Sequence, residues 1–475
     1  MRICRLLAAL GPALLVAACD VAPLYQAPSM ALPSHYKDAG VLNDGSIASV
    51  YDAAFWRAFH DRGLDSLETQ VDAANQDLAA AVAAYDRARA YALAAESGLY
   101  PYIEADGMVS ANKQSANRPL RSANQPTYYG ANQIDAQASY EVDIWGRVRD
   151  IVNAAKADAQ ANADSLAQAR LSLHAELARD YVNLRSLDLE AKLIADTISN
   201  YRDALALTQS RLAGQIASPI DVARAEVQLN NVQAEASDLA LRRSSLENAI
   251  ATLIGKPASS FSVPRASDGI AFPRRPRSVP SDLLRRRPDV AESERLVAAA
   301  NERIGVAKAA FYPRFTIDLL GGTQDTGFNL LSAKNTMYTI GPSVSLPLFD
   351  AGLRQADLEA AKAAYTEAAA RYRGDILRAV QEVEDNLSAL RWLTREAGNI
   401  DASAVSARRA SELSMALYRD GAVTYLDVVT AQNAALDAER ASLILRARRL
   451  EADVGLMLAL GGGWTIDQTA SADHQ

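Results

Sequence analysis

QIDAQASYEVDIWGRVRD, residues 133–150, changes period in its middle. Ile134, Ala136, Ala138, Tyr140, Val142 and Ile144 alternate with Gln133, Asp135, Gln137, Ser139, Glu141 and Asp143, the two-residue period of a strand with one apolar and one polar face. Beyond Trp145-Gly146 the pattern becomes helical, and from Gly146 to Leu212 neither proline nor a second glycine interrupts it. A continuous helix over that stretch spans ~100 Å at ~1.5 Å per residue. A two-faced strand feeding so long a rod does not belong to an ordinary globular domain.

Three other segments repeat the strand pattern. Ile103, Ala105, Gly107, Val109 and Ala111 alternate with Glu104, Asp106, Ser110 and Asn112. Phe315, Ile317 and Leu319 alternate with Thr316 and Asp318, and Tyr338, Ile340, Val344, Leu346 and Leu348 with Thr339, Ser343 and Ser345. Pro342 and Pro347 fall in the last segment and withhold two ladder donors. Each segment has about the 9 to 11 residues of a tilted membrane strand. Aromatic residues collect at the ends, at Tyr100, Tyr102, Tyr128, Tyr129, Trp145, Phe311, Tyr312, Tyr338 and Phe349, where an interfacial girdle belongs. Half-buried strands of a soluble sheet give the same alternation. If the strands span lipid, four of them leave two open edges that lipid does not tolerate. Three copies supply twelve strands, so the expected assembly is a homotrimer sharing one barrel.

The chain also says everything twice, at a spacing of about 206 to 212 residues. Tyr100-Pro101 answers Tyr312-Pro313, Trp145-Gly146 answers Ala351-Gly352, and Ser218-Pro219-Ile220-Asp221 answers Thr424-Tyr425-Leu426-Asp427. The expected organisation is a leader over 1–18, an N-terminal segment over 19–63, a first repeat over 64–254, a Pro-rich connector over 255–281, a second repeat over 282–460 and a tail over 461–475. The first repeat opens with an Ala-rich helix from Leu64 to Ala95. Heptad positions run through Leu173, Leu177, Leu184, Leu187, Ile194, Ile198, Tyr201, Leu205 and Leu212, then Ala225, Val232, Leu239, Leu246 and Leu253, and later Val429, Leu436, Leu443, Leu450 and Met457, which predicts helices packed side by side as coiled coils. In and after the connector, Arg274, Arg275, Arg277 and Arg285 to Arg287 read as a solvated face.

The amino terminus carries Arg2 and Arg5, an apolar run from Leu6 to Ala18, and Cys19, the layout of a secretory leader. Val16-Ala17-Ala18-Cys19 matches the bacterial lipobox, which makes Cys19 the expected site of diacylation. Without residues 1–18 the chain has 47 basic and 57 acidic residues, a balance that disfavours nucleic acid. Beyond the leader no run of 18 apolar residues exists, so any span must be β. His35, His60, His174 and His474 have no metal-ligand spacing, and no phosphate-binding loop is present. Neither an enzyme nor a cofactor is expected. Ser218 and Thr424 read as helix N-caps, Pro219 as the first helical residue, and Asp221 and Asp427 as carboxylates suited to a helix start.

VPSDLLRRRPDVAESERLVAAANERIGVAKAAFYP, residues 279–313, resembles the signature of outer-membrane efflux proteins of the TolC superfamily, in particular the OprM/NodT-type lipoprotein branch. The resemblance extends to Trp56, Phe59, Asp61, Leu64 and Asn75, to YEVDIWGRVRD at 140–150 and to PLFDAG at 347–352. Ala22-Pro23-Leu24-Tyr25 keeps only the proline and tyrosine of the family's Gly-Pro-Asp-Tyr, and Asp20 follows the lipid cysteine. Gln215 stands at the family's glycine position in the first hairpin turn, with Gly214 one residue early.

This resemblance implies a membrane α/β fold: a trimeric outer-membrane efflux duct with a shared 12-stranded β-barrel, four strands per protomer, a long periplasmic α-helical barrel and a pseudo-twofold repeat. It implies a passive exit duct for drugs or other small toxic compounds, working with a periplasmic adaptor protein and an inner-membrane transporter of the RND type. A type I protein-secretion duct is the alternative within the family, and a lipid-anchored coiled-coil scaffold without a pore is the alternative outside it. Carried over by position, Asp427 lines the periplasmic aperture and Tyr418 ties the inner hairpin shut, while Val423 stands where some members carry an arginine. Gly214, Gln215, Ser218, Gly421, Ala422 and Thr424 form the hairpin tips that meet the adaptor.

Overall fold

The structure, a computed structural model, describes residues 21–31, 36–38, 54–118, 122, 124–273 and 287–462. The leader, Cys19, the arginines at 274, 275, 277, 285 and 286, and the tail from Gly463 lie outside the described residues. Seven α-helices are described: α1 (Arg62–Ala74), α2 (Gln76–Glu96), α3 (Arg147–Ala213), α4 (Pro219–Leu253), α5 (Pro288–Ala309), α6 (Leu353–Arg419) and α7 (Tyr425–Ala459). The strands are β1 (Tyr102–Lys113), β2 (Tyr128–Glu141), β3 (Arg314–Asp325) and β4 (Thr336–Ser345). The repeat shows in the lengths: α3 and α6 have 67 residues each, α4 and α7 have 35 each. Among the described residues no helix is long and apolar enough to cross a membrane.

The chain divides into two compact units, each discontinuous in sequence. The first, Met1–Ser29, Ala84–Asn162 and Glu292–Arg373, holds the sheet. Its strands lie antiparallel in the order β1-β2-β3-β4. The register puts Ile103, Ala138, Leu319 and Ile340 in one cross-strand row and Ala105, Ala136, Gly321 and Tyr338 in the next. Neighbouring rows, Glu104-Gln137-Leu320-Thr339 and Tyr102-Ser139-Asp318-Gly341, lie on the opposite face. The expected alternation therefore becomes one apolar and one largely polar surface, with β1 and β4 as open edges. Pro342 sits in β4, an edge strand, where a missing donor is tolerated.

Strand ends differ from the expectation. β2 starts earlier, at Tyr128, and stops at Glu141, leaving Val142 to Ile144 outside. The reason is capping: the Asp143 carboxylate accepts hydrogen bonds from the backbone N–H groups of Val148 (3.1 Å) and Arg149 (3.0 Å), so it serves the helix. Asp350 repeats the device, accepting from Gly352 and Arg354 at 3.1 and 3.3 Å. β4 stops at Ser345, so Leu346 and Leu348 lie beyond it.

The second unit comprises Met30–Ala83, Ala163–Ala291 and Gly374–Gln475. The single helix expected from Leu64 to Ala95 is broken here at Asn75, whose backbone is extended. Its side chain accepts from Leu78 N at 2.8 Å and donates to Leu253 O at 2.8 Å, a bond to a distant helix end that fixes the break. Phe55, Trp56 and Phe59 of a 3-10 turn pack with Leu64 and Val71 of α1, Leu177, Tyr181 and Leu184 of α3, Ile250 of α4 and Val454 of α7. Each such side chain contributes ~2 kcal/mol on burial. Asp61 caps α1 and also accepts the buried Tyr181 hydroxyl proton at 2.9 Å. Lower on α3, the heptad residues Leu187, Ile194 and Tyr201 meet Val232 and Leu239 of α4.

Several buried charges of this unit are paired. Arg243 donates to Asp188 at 2.7 Å and to Val263 O at 2.8 Å, and pairs with Glu247 at 2.7 Å, tying residue 263 of the connector to α3 and α4. His174 Nδ1 lies 2.6 Å from Glu68, and Trp56 stacks on the imidazole at 4.4 Å. Burial pushes the Glu68 carboxyl up to about 7, against the opposing pull of the His174 bond.

Candidate functional site at the hairpin tips

Two tight turns, α3 to α4 and α6 to α7, carry the residues singled out at the tips. Both use the same stop. In the first, Ile216 N donates to Arg211 O at 2.8 Å and Gln215 N to Leu212 O at 2.9 Å; in the second, Ala422 N donates to Leu417 O at 2.8 Å and Gly421 N to Tyr418 O at 3.0 Å. This paired bonding requires a left-handed residue just past the helix. Gly421 takes it with φ 77° and Gln215 with φ 63°, so Gln215 occupies the glycine position and Gly214 precedes it. A side chain there costs about 1 kcal/mol, which the turn's two bonds offset. Gly214, Gln215, Ser218, Gly421, Ala422 and Thr424 are all exposed.

Each turn hands over to a capped helix. Ser218 accepts from Ile220 N at 3.3 Å, and its own N–H donates to Asp221 at 3.3 Å. Asp427 accepts from both the backbone N–H (2.9 Å) and the hydroxyl (2.7 Å) of Thr424. The Thr424 hydroxyl, then its backbone N–H, hold the Asp427 carboxyl below the usual aspartate range, so it is ionised throughout the neutral region. The two aspartates differ in their neighbours one turn along the helix. Arg224 stands 3.7 Å from Asp221, whereas three residues beyond Asp427 stands Thr430, whose hydroxyl donates to Leu426 O at 2.8 Å. The capping roles expected of Ser218, Asp221 and Asp427 are therefore present, and Asp427 keeps an exposed charge without an adjacent cation on its helix.

Tyr418 is buried at 3% exposure, with Tyr425, Ala204, Ala225 and Val428 around it and Val423 packed against the same cluster. Its ring meets Tyr425 at 5.3 Å, and its hydroxyl approaches Thr208 of α3 at 3.5 Å. The charge on the ring comes from Arg211, whose guanidinium sits 4.6 Å from the ring centroid. Arg211 also donates to Tyr418 O and, at 3.2 Å, to Arg419 O, binding two carbonyls at the end of α6. Nothing in the sequence singles out Arg211, because its partners lie 207 and 208 residues away. Arg211 belongs to the other hairpin, so its bonds tie the end of α3 to the end of α6. Farther along, Arg440 of α7 holds Glu190 of α3 at 2.8 Å and Glu235 of α4, a second tie between the hairpins.

Residues 68–256 and 279–462 match the family model described as outer membrane efflux protein. Over 479 aligned positions the chain is 31% identical to the pyoverdine export outer membrane protein OpmQ of Pseudomonas aeruginosa, covering 98% of each chain. It is 28% identical over 464 residues to the cation efflux system protein CusC of Escherichia coli, covering 95% of this chain and 98% of the other. Among solved structures, the outer-membrane channel OprN superposes with a TM-score of 0.86 at 26% identity, over 94% of this chain and 100% of that one. The Campylobacter jejuni CmeC channel superposes with a TM-score of 0.90 at 21% identity, over 96% and 97%, a likeness of fold.

Proposed function

This chain belongs to the family of outer membrane efflux proteins and is the outer-membrane duct of a tripartite efflux system; we propose that it is a passive, lipid-anchored exit for small toxic compounds handed over by an RND-type pump. The matched structure of OprN is an outer-membrane channel, and the trimer, the adaptor and the inner-membrane pump belong to the reading proposed here. The observation that carries the passive-duct reading is the two-faced sheet with open edges at β1 and β4. Three copies joined edge to edge satisfy every backbone donor and acceptor in lipid and turn the polar faces toward a common lumen. Asp427, tripled by symmetry, forms a cation-favouring ring at the periplasmic aperture, and Tyr418 with Arg211 holds that aperture closed. The exposed tips, Gly214 to Ser218 and Gly421 to Thr424, receive the adaptor. Photo-crosslinkers placed at Gln215 and Ala422 are expected to capture one periplasmic adaptor in living cells; capture of an ATP-driven protein exporter's adaptor instead would favour type I secretion and overturn the RND assignment.

The proposed anchor is Cys19. Val21 N donates to Trp145 O at 3.4 Å, at the junction of β2 and α3 where Trp145 stacks on Tyr312 at 4.7 Å. Cys19→Ser is expected to abolish labelling by a fatty-acid analogue and to leave a membrane-inserted trimer, because the barrel buries far more apolar surface than one lipid anchor. Unlabelled wild-type protein would refute the anchor, and a soluble mutant trimer would refute the barrel's sufficiency.

A further inference from the structure

On the polar face of the sheet, carboxylates dominate: Glu104 and Asp106 of β1, Asp135 of β2 and Asp318 of β3 share it by register. At the end of the sheet where strands meet helices the sign reverses. A recess of about 290 Å³ is lined there by Arg147, Arg314 and Arg354, with Glu141 and Asp143 among them, the latter paired with Arg149 at 3.2 Å, and with Trp145 and Tyr312 as an aromatic wall. Arg147 spends its guanidinium on Glu141 in two bonds of 2.8 and 2.6 Å. Arg354 is held by Asp350 at 2.5 Å. Among the described residues Arg314 has only the already occupied Oε2 of Glu141, at 3.7 Å, too far for a hydrogen bond, and its side chain is 55% exposed. Register places Arg314 opposite Ser345 and in step with Thr316 and Asp318, so it belongs to the polar face. β2 and β3 are the inner strands of the sheet, so the strand residues Glu141 and Arg314 do not stand on an open edge.

We propose that this recess is an anion-binding step inside the duct, where Arg314 receives the carboxylate or phosphate group of a passing solute before it meets the acidic face of the barrel. A guanidinium with free donors suits an oxyanion in two-point contact, and one surplus cation lowers the barrier that the carboxylates beyond it impose on anions. The inference rests on the duct reading above.

Citrate block of single trimers in planar bilayers tests it, with citrate added to either side. Wild type is expected to show concentration-dependent block, and Arg314→Gln to need about tenfold more citrate, the order expected for one lost charged hydrogen bond. Arg314→Lys should fall between wild type and Arg314→Gln, because it keeps the charge and loses the two-point contact. Ser345→Asp, which neutralises Arg314 from the facing register position without removing it, should reproduce the Gln variant. Conducting trimers whose block is the same in wild type, Arg314→Gln and Ser345→Asp would overturn the recess alone. Wild-type trimers that never conduct would overturn the duct, and this step with it.

Discussion

Replacing Asp427 with asparagine is expected to move the reversal potential of the trimer in asymmetric salt toward that of an unselective pore, and to weaken block by multivalent cations from the periplasmic side. The substitution removes three charges per trimer while keeping side-chain size and an acceptor for the Thr424 N–H, so stability should barely change. Because the Thr424 bonds keep the carboxyl below its ordinary range, the wild-type ring should hold its selectivity as pH falls from neutral and lose it only in strong acid. Asp221→Asn is the matched control: same step of the repeat, same capping role, with Arg224 beside it. Identical reversal potentials for Asp427→Asn and wild type would make Asp427 a helix cap and nothing more.

Arg211→Ala should open the channel. Arg211 makes the charged hydrogen bonds that close the end of α6, and its guanidinium lies on the Tyr418 ring. Hydrogen bonds to a charged group are worth ~1.5–3 kcal/mol each and a cation–π contact ~0.5–2 kcal/mol. A loss of ~2 kcal/mol in the closed state multiplies the open-to-closed ratio by roughly 30. Conductance at low voltage, and uptake of large antibiotics by cells carrying the variant, should both rise. Arg211→Lys should restore closure only partly, because an ammonium cannot present the planar fork to two carbonyls. Tyr418→Phe should do little, since the hydroxyl contact to Thr208 is long at 3.5 Å. An Arg211→Ala trimer that is folded and as closed as wild type would remove Arg211 from the gate.

The legible parts of the chain were those governed by local periodicity. Alternation at 133–141 identified the strand and its two faces, the proline-free run after Gly146 appeared as a helix of 67 residues, and the Ser218 and Asp427 caps were readable from residue type and position alone. These depend on the period of the backbone and on side chains reaching two or three residues away. Ends were less legible, because they are set by competition. Asp143 continues the strand pattern on paper and is taken by α3 instead, and Asn75 looks like one more residue of an Ala-rich helix until Leu253 O claims its amide.

The sequence by itself therefore determined the element types, their repetition, the two faces of the strands and the family. The tertiary structure decided which strand residues face each other across β2 and β3, that Gln215 takes the left-handed turn position, and that Arg211 reaches the Tyr418 carbonyl at the end of α6. Register and the Arg211 contact join residues some 180 to 210 positions apart, and an ion pair or a hydrogen bond leaves no periodic trace in either partner. A lone arginine near a helix end has the same local signature whether it points into solvent or onto a carbonyl two hundred residues away; only packing the hairpins side by side brings the two together.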